Sequence, residues 1–435
     1  MAEPDMISLS ERRVTRTPDG RTRLTFTIEL PTRDEAGGAR RAEMDVQGAL
    51  HEAGREVMEH LLALYDTDGE PLEQGKARLT SKGRQEQTYQ SVFGPVRVAR
   101  HVYQTAEGGV TWCPLEERAR ILENATCQFA AIIAAKYSAQ SGNAVRRDLE
   151  ESLQRHVSLD YIQTVAGHAG GVALRREAHW SYSPQADPGE VAAIAAGIDG
   201  TCIPLCDEGF RQAMAGSLDL LNAKGERLET IYIANAPEEG KRTFLSRMER
   251  ELDRLRAHFP ETPVAGISDG AKDLQEWLTE RCDVVTLDFY HLSEYIHTAA
   301  MAFGDTPAKR EDWVGRQLHA LKHEEGAPAK LLREMKRRLK AGDLADTVRA
   351  ALEKALGYLE NNRDRTEYAL ARGARLPIGS GVTEAACKHI IKERVCGSGM
   401  RWRRTTLQGV LSLRSLHESS NRWDQFWTRI ERFGY

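Results

Sequence analysis

The sequence lacks most of what would commit it to a membrane, a secretory route or a disulfide framework. None of its 435 residues lies in an apolar run approaching the roughly 20 needed to cross a bilayer. The opening Met-Ala-Glu-Pro-Asp-Met has no basic stretch followed by an apolar one, so secretion is not expected. The seven cysteines are an odd number and none forms a Cys-x-x-Cys pair, which points to a reducing, cytoplasmic setting. A large charge of one sign is also missing: 60 Lys and Arg against 64 Asp and Glu leave a net charge of -4. That excludes a uniformly basic surface, although the distribution matters more than the sum. From Gly373 to Tyr435 there are eleven Lys and Arg against five Asp and Glu, so phosphate contacts could concentrate there. With 41% hydrophobic and 29% charged residues the chain is that of a globular protein, long enough for about three domains.

Against this background three acids stand out. Asp199 closes the apolar run Ile194-Ala-Ala-Gly-Ile-Asp199, and Asp269 closes Pro263-Val-Ala-Gly-Ile-Ser-Asp269. Glu384 follows Gly379-Ser-Gly-Val-Thr383 and opens a helical stretch. Asp is depleted in strands because its short side chain competes for backbone hydrogen bonds. One at the end of each of two buried strands therefore suggests chemistry. Three carboxylates from separate segments make an oxygen-ligand site for Mg²⁺ or Mn²⁺. Two such ions can clamp the attacking and leaving oxygens of a phosphodiester. Gly200, Gly270 and Gly381 beside the acids fit tight turns or close approach by DNA.

The periodicities place these acids. Residues 1–122 are expected as an α+β region: a strand at Arg23–Leu30, a helix over Glu43–Tyr65, and a hairpin from Tyr89 to Tyr103 turning at Phe93-Gly94-Pro95. Val96, Val98 and Val102 share one hairpin face. Arg97, Arg100 and His101 are candidates to touch DNA or to form a solvated face. Residues 123–180 read as three helices, the second capped by Asn143 and the third by Ser158. A helix-turn-helix would bring Tyr161, Gln163 and Thr164 to base edges, and a plain helical hairpin would not. Ser181–Glu190, with two prolines, is the linker candidate. Residues 191–291 then give strands at Val191–Leu205, Arg211–Leu221 and Thr230–Ala234. A helix at Lys241–His258, a strand at Pro263–Ser268, a helix at Lys272–Arg281 and a strand at Asp283–Leu287 follow. The order βββαβαβ is that of the ribonuclease-H-like fold, in which Asp199 and Asp269 would end neighbouring strands. Residues 292–372 read as an all-helical insertion, including the basic stretch Lys330–Lys340. Residues 373–435 return to the catalytic domain and close with basic helices. The fold class expected is thus α/β. Cys202 and Cys206, four apart in a strand, are expected as core residues, since two thiolates alone make no zinc site. Trp423, Phe426 and Trp427 have helical spacing and are expected in the core.

The segments Gly197-Ile-Asp-Gly-Thr201, Ser268-Asp-Gly-Ala271 and Gly379-Ser-Gly-Val-Thr-Glu-Ala-Ala-Cys-Lys388 resemble the three acidic motifs of DDE transposases. Arg394-Val-Cys-Gly-Ser-Gly-Met-Arg-Trp402, Leu411-Ser-Leu-Arg414 and Arg422-Trp-Asp-Gln-Phe-Trp427 extend the likeness to bacterial insertion-sequence transposases of the ISKra type, relatives of the Mutator-like group. Asp288-Phe-Tyr-His291 resembles the Cys/Asp-x-x-His motif that follows the second catalytic Asp in that superfamily. The likeness runs from about Tyr89 to the end. It implies a ribonuclease-H-like catalytic domain, with Asp199, Asp269 and Glu384 as catalytic metal ligands and Asp288 and His291 as accessory residues. It implies Mg²⁺- or Mn²⁺-dependent cleavage of transposon-end DNA and strand transfer into target DNA, in the nucleoid of a bacterial cell. Two ends joined in one complex imply a homodimer or a larger homo-oligomer. The paired cysteines that relatives carry after the hairpin are reduced here to Cys113, so no zinc is expected there. Arg394, Arg401, Arg403 and Arg404 flank Trp402, an arrangement suited to phosphate contact and stacking on an unpaired base. The alternative for that segment is a buried Trp402 among solvated arginines. Two other functions stay open at this stage: a nuclease without strand transfer, and a catalytically idle DNA-binding protein.

Overall fold

The computed structural model describes residues 8–29, 38–75 and 77–435, which divide into two compact units, 1–175 with 426–435, and 176–425. In the first unit, β1 (Ser8–Arg16) and β2 (Thr22–Glu29) form a hairpin; Leu30, expected to end the second strand, lies outside the described residues. Helix α1 (Ala39–Ala63) follows. It packs on a four-stranded antiparallel sheet in the order β3 (Leu72–Gln74), β4 (Ala77–Ser91), β5 (Gly94–Thr105), β6 (Gly108–Trp112). Alternation decides the faces of β5: Val96, Val98 and Val102 are buried while Pro95 and Arg97 are exposed. The hairpin turns one residue earlier than its glycine suggests. Ser91 pairs with Gly94, so Val92 and Phe93 form the two-residue loop. Gly94, at φ +137°, is the first paired residue after it. Arg100 is not on a solvated face. It is buried, donating to the Tyr89 hydroxyl at 3.0 Å and to the Gln85 carbonyl at 3.3 Å.

Four helices complete this unit: α2 (Pro114–Arg118), α3 (Cys127–Ala139), α4 (Gly142–Leu153) and α5 (Leu159–Arg176), whose last residue falls to the second unit. The cap of α4 is Ser141, whose hydroxyl accepts from the Ala144 N–H, rather than Asn143. Ser158 caps α5 as expected, accepting from the Tyr161 N–H at 3.1 Å. The C-terminal residues 426–435 also belong here. Arg120 donates to the carbonyls of Glu431 and Arg432, and the Tyr435 hydroxyl donates to the Arg120 carbonyl at 2.8 Å. Phe426 and Trp427 are buried.

The second unit is a mixed α/β body. Its five strands are β7 (Ala193–Leu205), β8 (Gly209–Leu221), β9 (Arg227–Asn235), β10 (Val264–Ser268) and β11 (Val284–Leu287), with α6 (Arg242–His258) and α7 (Lys272–Arg281) as crossovers. The order across the sheet is β11-β10-β7-β8-β9. Strands β7, β8 and β9 are antiparallel neighbours, whereas β10 runs parallel to β7 and β11 parallel to β10. Every residue of β7 from Ala193 to Ile198 is buried, as is every residue of β8 from Ala213 to Leu221. Both faces of the sheet centre are therefore covered. Phe244, Met248, Leu252 and Leu255 of α6 fill one side against Ile198, Leu218 and Ile231. The proline-bearing segment 181–190 is not a loose linker. The buried Glu229 carboxylate accepts from the Gln185 and Ala186 N–H groups at 2.9 and 3.3 Å, which fixes it beside β9.

A helical block follows: α8 (Phe289–Ala299), α9 (Pro307–His323), α10 (Ala327–Lys340), α11 (Asp346–Asn361) and α12 (Tyr368–Gly373). Its core is its own, built on Leu292, Ile296, Trp313, Leu331 and Leu352. The chain then returns through α13 (Gly381–Ala386), a π-helical turn at Cys387–Lys392 and α14 (Glu393–Val395). It ends in α15 (Arg404–Glu418) and α16 (Arg422–Phe433). Cys202 is a correction. Near the end of β7, Ile203 and Leu205 point inward, and the pleat turns Cys202 to solvent, with Cys206 half-buried.

Candidate functional site

The strand register brings the acids together. Gly197 pairs with Ile267 across β7 and β10, so Asp199 and Asp269, each two residues further on, fall in line: Asp269 just past the end of β10, and Asp199 not at a strand end as expected but in the middle of β7, which runs on to Leu205. Ser268 pairs with Leu287 across β10 and β11, which sets Asp288 next in the row. In an open parallel sheet this carboxyl end is where ligands bind. Glu384 comes from the first turn of α13, whose approach to the sheet depends on Gly197. A Cβ there would stand 1.8 Å from the Thr383 hydroxyl oxygen. Glycine is what lets α13 lie this close to β7.

Each acid is oriented by the backbone. Asp199 accepts from the Gly200 N–H at 2.6 Å, and Asp269 accepts from the Ala271 N–H at 3.0 Å in an Asx turn. Asp288 caps α8 by accepting from the His291 N–H at 2.7 Å, and its second oxygen accepts from the Ser380 N–H. Ser380 in turn donates to Glu384 at 3.1 Å. The buried Asp288 thus ties the end of β11 to the loop that delivers Glu384. Tyr358 of α11 donates to the Asp269 carbonyl at 2.7 Å.

Burial raises the Asp199 carboxyl above its usual range, and the neighbouring Asp269 charge pushes the same way. Hydrogen bonds from the Gly200 N–H and the Cys387 thiol, and the His291 imidazole, act against that rise. The charges of Asp269 and His291 both bear on Asp199. A divalent cation is the group that would relieve such crowding. Ligand atoms of Asp288, His291 and Glu384 lie within 4.8 Å of one another and form a candidate metal-binding triad. An ionised carboxylate has about four lone-pair sites, so the backbone bonds to Asp288 leave room for a cation. Asp288 and His291, accessory in the sequence, thus stand with Glu384 in this candidate ligand group, and Asp199 and Asp269, the other two expected ligands, are not part of it. The register signal that could have revealed Asp288 is its place directly after an apolar strand.

A cavity of about 350 Å³ lies along β7 and β8, lined by Gly197, Ser217, Asp219, Ser380 and Thr383 and by none of the clustered acids. The buried Asp219 carboxylate accepts from the hydroxyls of Thr230 at 2.5 Å and Ser217 at 3.3 Å. Burial raises its pKa as well.

The residues proposed to touch DNA have more varied positions. Arg394 is buried, with its guanidinium 4.9 Å from the centroid of the Trp402 ring. The Trp402 indole N–H donates to the Val395 carbonyl at 3.1 Å. Arg404 forks onto Glu208 and donates to the Pro237 carbonyl at 3.0 Å. These three pack within the fold: the Trp402 ring faces the Arg394 guanidinium, and the Trp402 indole N–H and the Arg404 guanidinium are bonded internally. Arg401 and Arg403 are exposed. In α5, Gln163 is exposed and Thr164 half-buried, while the Tyr161 hydroxyl is buried and faces away from any base edge.

Compared with models of known protein families the chain matches none, and comparison with curated proteins gives no match.

Proposed function

We propose that the chain is a DDE transposase with a ribonuclease-H-like catalytic domain, in which the block α8–α12 is an insertion between the last strand and the helix bearing Glu384. The observation that carries this reading is the register: Asp199, Asp269 and Asp288 fall in line across three adjoining parallel strands, and Glu384 comes from α13 to Asp288 and His291. The strand order, three antiparallel strands followed by two parallel ones beside the first, supports the fold.

In this reading Asp199, Asp269 and Glu384 would supply oxygen donors that suit Mg²⁺, and the imidazole of His291, grouped with Asp288 and Glu384, would add a nitrogen donor that suits Mn²⁺. When bound there, such ions supply Lewis-acid polarisation of a phosphodiester. The chain's own part is to fix the donors before DNA arrives, through Gly200, Ala271, Ser380 and the cap of α8. In the first step a water oxygen bonds to phosphorus and the bond to the 3′-oxygen breaks, leaving a 3′-hydroxyl at the transposon end. In the second, that hydroxyl attacks a target phosphodiester and the target's own 3′-oxygen leaves.

The test is an assay of the purified chain with end-labelled duplexes taken from the DNA flanking its gene, in MgCl₂ or MnCl₂. Nicked and joined products, both lost in Asp269→Ala, are expected. Nicking without joining would support the nuclease instead, and undiminished products from Asp269→Ala would overturn the acid site altogether.

A further inference from the structure

Helix α1 carries an apolar stripe on the side turned away from its sheet. Leu62 is buried, and the ring of Phe93 abuts Gly54. In contrast, Val46, Leu50, Val57, Leu61 and Leu64 are all exposed, Leu64 at 76%. At 3.6 residues per turn these five fall within about 60° of one another. Alternating steps of four and three run from Ala39 through Glu43, Val46, Leu50, Ala53, Val57 and His60 to Leu64, which is the spacing of a coiled-coil seam. Among the described residues of the stripe Glu43 is the one acid.

We infer that this seam is a dimer interface, occupied by the same helix of a second copy running antiparallel. The argument is self-complementarity. When the seam is laid against its own reverse, Val46 meets the other copy's residue 57 and Leu50 meets residue 53, valine on valine and leucine on alanine. Residue 64 falls on Ala39, and residue 43 falls opposite His60, an acid against an imidazole. A parallel pairing would instead set Glu43 against its own copy, with like charges apposed in an apolar seam. Ala39, Ala42, Val46 and Leu50, with Glu43 and Gln47, line a shallow groove whose exposed wall is almost wholly apolar. That groove is where Leu61 and Leu64 of the second copy would seat. The seam is about 37 Å long at 1.5 Å per residue, and a two-fold axis near its middle makes it isologous.

The inference stands apart from the proposed chemistry, since neither DNA nor metal enters its measurement. Sedimentation equilibrium of the full chain should give twice 48.6 kDa. The double variant Leu50→Lys, Val57→Lys should sediment as a monomer with an unchanged circular dichroism spectrum. For orientation, Val46→Cys chains are mixed with Val57→Cys chains, treated with a short bismaleimide and digested for mass spectrometry. A link between positions 46 and 57 is expected. A monomeric wild type, a dimer that survives both lysines, or a self-link at position 46 in place of the 46–57 link would each overturn the inference. If the lysine variant loses its helical spectrum, the crosslink decides alone.

Discussion

The two sheets of this chain follow different rules. The four-stranded sheet of the first unit alternates along β5, with valines inward and Pro95 and Arg97 outward. Polar groups on its open face meet water at little cost. The five-stranded sheet is covered on both faces at its centre, and there a polar side chain must find a partner or lose several kcal/mol. Asp219, Ser217 and Thr230 in β8 and β9 satisfy each other. Asp199 shares a crowded site with a second carboxylate, and its carboxyl stays raised despite the hydrogen bonds from Gly200 and Cys387 and the imidazole of His291. The same residue type is therefore uninformative in one sheet and diagnostic in the other.

Substitutions can break or sharpen this contrast. The largest effect is expected from Asp199→Asn or Asp269→Asn, which should reduce DNA cleavage about 100- to 1,000-fold, the scale of losing one preorganised electrostatic contact. Arg97→Gln on the open face should leave cleavage and melting temperature unchanged. Next, Phe244→Ala should lower stability by about 3–5 kcal/mol in urea denaturation, because the doubly covered core closes around it. Val98→Ala in the other sheet should lose less, within about 1.5–3 kcal/mol. An equal loss at both positions would erase the distinction between the cores.

Gly197→Ala tests the approach of α13. The added methyl meets Thr383, so Glu384 must shift, and cleavage should fall about 100-fold with the fold intact. Thr383→Ala in the same chain should recover part of that loss. The smallest effect concerns Asp219. Its folded pKa lies above the unfolded value because burial disfavours the charge. Its contribution to stability is thus full below the ordinary carboxylate range and lost as pH rises through the raised value. Asp219→Asn has no such titration. The melting temperature of the wild type should fall relative to the variant between acidic and neutral pH, by about 2–4 °C for each kcal/mol. A constant difference across pH would mean that Asp219 is not desolvated.

Much of the second unit was legible because long apolar runs have clear ends. Helix α7 spans Lys272–Arg281 as its pattern suggests, and β10 starts one residue later than expected. Asp269 and Asp288, directly after β10 and β11, were visible for the same reason, whereas the strand carrying Asp199 runs on to Leu205. What escaped was whatever depends on distant residues. Arg394 reads as a phosphate-contacting or solvated cation, yet it is buried against Trp402 after the chain folds back along β7. The C-terminal residues read as part of the catalytic body, but the bonds between Arg120 and Glu431 join segments 311 positions apart. At α4, Ser141 and Asn143 are equally good caps in sequence, and only the backbone decides between them. Asp288 was read through a motif; its bond to the Ser380 N–H spans 92 positions and no local pattern announces it.

The bond from Tyr358 to the Asp269 carbonyl has company. Gln275 donates to Asn362 at 2.9 Å, and Arg365 donates to Gln275 at the same distance. Together they rivet α11 and the turn beyond it to the strand end that carries Asp269. A shortened chain with the helices removed would strip the buried Gln275 of both neighbours and leave Asp269 on an unbraced turn. The helical block is scaffolding for the second acid, and whatever pulls on it pulls on that carboxylate.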